Sequence, residues 1–218
     1  MTKNNNTTPE QDSLTLFVAK AIDYCKTNAK LVGGIVLLIA VVWTAAALYC
    51  NHQEKIRQDS WAQYYTAQMA LLTQGQEQAS AAVQTLVQNY PDSDAAYYAQ
   101  LMLADLLFSQ ENFAQAAETY QKLLQAKNPH VRTIAAVSLA AAQQATKDYA
   151  ASIKTAQDFI AANPTSFALP QAYFTLAVSQ ELSGDKTAAL NTYKKILEDY
   201  TKTYFGVFAK DKITALSK

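Results

Sequence analysis

Alanine returns on a fixed beat through this 218-residue chain. Ala67, Ala104, Ala140 and Ala177 are spaced by 37, 36 and 37 residues, and Ala79, Ala116, Ser152 and Ala189 repeat the same three intervals. Two small-residue positions marching in step mark four copies of one unit. The second half of each copy reads QEQASAAVQTLVQNYP, ENFAQAAETYQKLLQAKNP, KDYAASIKTAQDFIAANP and GDKTAALNTYKKILEDY. A small residue on each of two antiparallel helices lets them approach closely, and a larger apolar residue one turn on fills the gap. Tyr120 and Leu123 follow Ala116 in this way, and Tyr193 and Ile196 follow Ala189. One such pair cannot bury its apolar face alone, so the units stack into a superhelix.

Punctuation supports the same division. Pro91, Pro129 and Pro164 close the first three copies, where proline ends a helix. Helix starts are signalled by Asp92-Ser93-Asp94, by Asn112 before Phe113 and by Gly184-Asp185. Residues 51–218 are therefore expected to form a repeat domain, with units over about 52–91, 94–129, 130–164 and 168–201. In the last stretch Phe205, Phe208, Ile213 and Leu216 alternate with Lys210, Asp211 and Lys212, as in a helix over 203–217 that caps the final pair.

Composition excludes most alternatives to an all-α fold. Five glycines and five prolines, against 39 alanines, are too few for a β-sandwich or for a glycine-rich nucleotide loop. Eighteen basic and eighteen acidic residues leave no net charge, which argues against a nucleic-acid partner. Two cysteines and two histidines leave little for zinc chemistry or a disulfide scaffold.

The first fifty residues follow another rule. Residues 1–13 are polar and aperiodic and read as a disordered tail. Over 14–30, Leu14, Phe17, Val18, Ala21, Ile22 and Cys25 form one apolar stripe, with Lys20, Asp23 and Lys26 turned away. That is an amphipathic helix suited to a membrane interface, or to packing on another part of the protein. Residues 31–50, LVGGIVLLIAVVWTAAALYC, carry no charge. As a helix they cover roughly 30 Å, the hydrocarbon thickness of a bilayer. Their ten Leu, Ile and Val residues favour insertion by on the order of 3 to 6 kcal/mol in sum.

A retained transmembrane helix is expected rather than a cleaved signal, because the apolar run is too long and 30 residues precede it. Lys20, Lys26 and Lys30 outnumber Lys55 and Arg57, which places the N-terminus in the cytoplasm and the repeats outside it. Cys25 and Cys50 would then lie on opposite sides of the bilayer and could not bridge within one chain. Cys50 is read as a free interfacial thiol in preference to an intermolecular disulfide, and a homodimer is left open.

The repeats resemble the tetratricopeptide repeat: a small residue in the first helix, a Gly-Asp-Tyr-like turn, Ala-x3-Tyr and a closing proline. The turn stands as Glu111-Asn112-Phe113, Lys147-Asp148-Tyr149 and Gly184-Asp185-Lys186, and is degenerate at Gln74-Gly75-Gln76. The whole layout, with LTLFVAKAIDYCKTNAK before one span and HQEKIRQDSWAQYYTAQ after it, resembles the YfgM-like family of bacterial inner-membrane proteins. That resemblance implies an ancillary subunit of the SecYEG translocon. Its periplasmic repeats would meet translocon components, periplasmic chaperones or emerging unfolded and helical segments. It brings no catalytic residues and no cofactor. A scaffold of another envelope complex, or a receptor with the same anchor and cytosolic repeats, shares the layout.

In stacked helix pairs the first helices line the concave face. Its candidate protein-binding residues are Trp61, Tyr64 and Gln68, then Tyr98, Leu101, Asp105 and Phe108, then Ile134, Val137 and Gln144, and finally Phe174 and Glu181. An aromatic and aliphatic groove of this kind would hold an apolar helix or an unfolded segment by buried area rather than by charge. Most of these positions could equally serve the core between repeats. His52 and His130 stand 78 residues apart with no metal-like neighbour, and Asp105 has no second carboxylate or base beside it in the sequence. No constellation for catalysis is legible, and the chain is expected not to be an enzyme.

Overall fold

A computed structural model describes residues 9–217, with side-chain environments from residue 15 onward. Among the described residues there are ten helices and no strand. The chain divides between Lys55 and Ile56 into two compact units.

The first unit holds helix α1 (Pro9–Thr27) and the start of α2 (Ala29–Thr73). Helix α1 begins at Pro9, five residues before the apolar stripe and inside the expected tail. Proline suits a first helical position, where the missing N–H would have no partner. The rest of the expected tail, residues 1–8, lies outside the described residues. Leu37, Leu38, Trp43, Leu48 and Tyr49 are all exposed. Helix α2 is long and apolar enough to cross a membrane, and none of its most apolar stretch is buried. It does not stop at Cys50, where the sequence reading ends the span. Neither glycine nor proline occurs between Asn51 and Thr73, so nothing breaks the helix before Gly75.

In the second unit, the part of α2 from Ile56 pairs with α3 (Gln76–Asn89). Three more pairs follow: α4 (Asp94–Ser109) with α5 (Phe113–Leu123), α6 (Pro129–Ala145) with α7 (Tyr149–Ala162), and α8 (Leu169–Leu182) with α9 (Lys186–Asp199). Helix α10 (Tyr204–Leu216) lies on the last pair, with the Phe208 ring centroid 4.9 Å from that of Phe174. Every member of both small-residue series is buried, from Ala67 to Ala177 and from Ala79 to Ala189. The helices meet where the sequence leaves out side-chain bulk.

Caps fix the helix starts. Ser93 accepts from the Ala96 N–H at 3.1 Å, Asp148 from Ala151 at 3.1 Å and Asp185 from Ala188 at 3.0 Å. Asn112 departs from the expected pattern. Its side chain makes no capping bond and instead donates to Gln115 Oε1 at 3.0 Å. Each turn inside a pair needs one left-handed residue, supplied by Gly75 and Gly184 in the outer pairs and by Glu111 (φ 63°) and Lys147 (φ 66°) in the middle two.

Candidate functional site

On the first-helix side of the second unit, α2, α4 and α6 enclose an open cavity of about 520 Å³. Five expected groove residues line it: Tyr64, Tyr98, Leu101, Asp105 and Ile134. Trp61 does not line it but packs beside two lining residues, with its ring centroid 5.3 Å from Tyr64 and 5.9 Å from Tyr98. Burial, and then the neighbouring phenols of Tyr65 and Tyr98, push the Tyr64 hydroxyl above its ordinary range, so it stays neutral. The walls offer rings and aliphatic chains, and Asp105 contributes the acidic group. Its Oδ1 accepts from the Tyr120 hydroxyl at 2.5 Å, tying the first helix of this pair to the second. Burial, reinforced by that bond to Asp105, raises the Tyr120 hydroxyl far above the usual tyrosine range.

The remaining expected groove residues go elsewhere. Val137 is buried in the core with Phe159, Leu169 and Ala172. Phe108 packs edge-on against Phe113 at 5.1 Å, inside its own helix pair. Phe174 is covered by Phe205 and Phe208 of α10. Glu181 accepts from Tyr193 at 2.8 Å and pairs with Lys212 of α10 at 2.8 Å. Gln68 is exposed and Gln144 half-buried, and neither lines the cavity. Leu101 does two jobs, lining the groove while only 4% exposed in the core.

Leu71, Met102 and Leu106 also line the cavity and were not expected there. Leu71 could have been found. It falls one repeat interval before Phe108, and that same register continues to Gln144 and Glu181. Met102 and Leu106 sit beside chosen residues, and periodicity alone does not separate them from core.

A larger cavity, about 640 Å³, lies between α5, α6 and α7, and several of its polar groups are already partnered. Arg132 Nη1 donates to the carbonyls of Ala126 and Lys127 at 2.7 and 3.0 Å. Lys154 pairs with Asp158 at 2.7 Å, and Thr155 donates to Gln143 Oε1 at 2.8 Å. Among the described residues no group of three His, Cys, Asp or Glu side chains is placed to hold a metal ion.

A family model for the tetratricopeptide repeat-like domain matches residues 23–205. The chain belongs to that family. Its fold is similar to a tetratricopeptide repeat protein from Parabacteroides merdae, at a TM-score of 0.59 and 13% identity, over 73% of this chain and 60% of that one. This chain thus spans less than two thirds of that relative's length. Kinesin light chain-type repeats from Podosopora anserina align at a TM-score of 0.54 and 14% identity, over 71% of this chain and 83% of theirs. MamA from residue 41 to its end, from Desulfovibrio magneticus, aligns at 0.55 and 16% identity, over 73% and 90%. Identities this low establish the fold alone. No curated protein matches the sequence. Tetratricopeptide repeat folds typically act as non-catalytic scaffolds that bind other proteins, and a rigid stack of helix pairs with an open concave face suits that work.

Proposed function

We propose that this protein is a single-span membrane anchor carrying a repeat scaffold on the periplasmic side of a bacterial inner membrane. The scaffold binds polypeptide segments in the groove lined by Tyr64, Tyr98 and Ile134. The groove's make-up carries the reading: aromatic and aliphatic walls in a fold that binds proteins, with Asp105 already engaged by Tyr120. Such walls hold an apolar helix or an unfolded stretch through area removed from water, and tolerate many sequences. Translocon components, periplasmic chaperones and emerging chains all present segments of this chemistry. The layout resembling the YfgM-like family favours a post beside the translocon.

The exposed apolar stretch of α2 supports the anchor. Helix α1 lies in the bilayer interface with Phe17, Val18 and Ile22 toward lipid. Lys20, Lys26 and Lys30 keep the N-terminus in the cytoplasm. Alkaline carbonate washing should leave the protein in the membrane pellet. A phosphatase fused after Lys218 should be active only when exported. Release by carbonate would remove the anchor, and an inactive fusion whose cytosolic counterpart works would turn the repeats inward.

A further inference from the structure

Every first helix from α4 onward carries an alanine where the preceding pair lies against it. These are Ala99, Ala135, Ala172 and Ala209, none more than 1% exposed. Ala99 meets Val83 and Leu86, Ala135 meets Tyr120 and Leu123, Ala172 meets Phe159, and Ala209 meets Tyr193 and Ile196. One repeat interval upstream, on α2, the same register holds Ala62, and Ala62 is exposed. Tyr65, Met69 and Leu72 continue its face at steps of 3, 4 and 3 residues, and they are 58%, 55% and 74% exposed. The notch that receives a helix in four other places is present here without a helix in it.

We infer that this face is filled by its own counterpart from a second copy, α2 against α2 in parallel. Four uncharged residues at 3-4-3 steps form the seam of a parallel two-stranded coiled coil, and the small Ala62 permits close approach. Two copies anchored in one bilayer hold their α2 helices parallel and at high effective concentration, a point that rests on the anchor proposed above. Head-to-tail stacking through α10 fits less well. Thr214 stands at the register of Ala67, Ala104, Ala140 and Ala177, and it and Lys210 are exposed on α10 along with Tyr204 and Val207, so that contact would bury polar groups together with apolar ones. A symmetric, closing contact is the better match.

The test uses the full chain in mild detergent and in its membrane, with Cys25→Ser and Cys50→Ser removing the native thiols. On mild oxidation Ala62→Cys should join two chains, whereas Gln84→Cys, exposed on α3, should leave them single. Tyr65→Glu with Met69→Glu should halve the protein mass measured by light scattering while helical circular dichroism persists. A monomeric unmodified chain, a dimer that survives both glutamates, or Ala62→Cys adducts only to a different polypeptide would overturn the inference. A carbonate-released chain that still crosslinks through Ala62→Cys removes the anchor and keeps this contact. An anchored chain that is monomeric does the reverse.

Discussion

Tyr120 and Tyr193 occupy one register two repeat intervals apart, and both are buried to within 2%. Their rings fill the same place beside Ala116 and Ala189, yet their hydroxyls find different partners, Asp105 in one pair and Glu181 in the other. Side-chain size was legible in the sequence because it repeats, whereas the direction of each hydroxyl was not, because its acceptor sits at a different register each time. The buried hydroxyl pair of Ser152 and Ser179, 2.8 Å apart, escaped for a similar reason: Ser152 reads as just another small residue. Glu181 has a measurable consequence. Burial pushes its carboxyl upward, but the bonds from Lys212 and Tyr193 outweigh that and hold it below the ordinary glutamate range. A carboxylate whose folded-state pKa is depressed lends stability above its unfolded value, and loses it as pH falls through the folded one. Urea midpoints should therefore drop as pH falls below the ordinary glutamate range and on through the depressed Glu181 value, and Glu181→Gln should shrink that drop. An unchanged drop in the variant would remove Glu181 from the last helix's attachment.

Among the elements, turns were the least legible part. Proline marked where the pairs close, but the left-handed residue within each pair is glycine in only two of four cases. Glu111 and Lys147 adopt that conformation with nothing in their identity to announce it. Hydropathy bounds the span because it falls after Cys50, but it says nothing of the joint between span and repeats, where helix-breaking residues stay absent until Gly75 and α2 runs on without a break. Helix α10 shows how a close approach selects a residue. A Cβ at Gly206 would lie 2.8 Å from Thr201 Cα and 2.9 Å from its carbonyl carbon, both backbone atoms of the turn before it. Ala96, Arg132 and Leu169 hold that register in the earlier first helices, so the constraint belongs to the last one. Gly206→Ala should cost about 1–3 kcal/mol by forcing α10 off α9. Thermal unfolding and the near-ultraviolet signal of the Phe205 and Phe208 cluster would record it, and an unshifted melting curve would show that the turn yields freely.

At the scale of the whole molecule, two independent signals define the chain: an uncharged stretch long enough to span a bilayer, and a beat of 36 to 37 residues that specifies stacked helix pairs. Of the twelve candidate groove residues, the cavity gathers five from α2, α4 and α6, while α8 gives Phe174 and Glu181 to α10 instead. Periodicity announced a capping helix over 203–217, but it could not show that this helix would cover Phe174 and pair with Glu181. The groove proposed to bind protein segments therefore lies toward the N-terminal end of the repeats, around Tyr64, Tyr98 and Ile134. A photoreactive phenylalanine analogue at Tyr98, and separately at Lys154 on α7 outside the groove, tests this most directly in the full chain within its own membrane. Illumination should yield adducts to other polypeptides from Tyr98 and none from Lys154. No adduct at Tyr98, or equal adducts at both positions, would contradict a groove that holds protein segments.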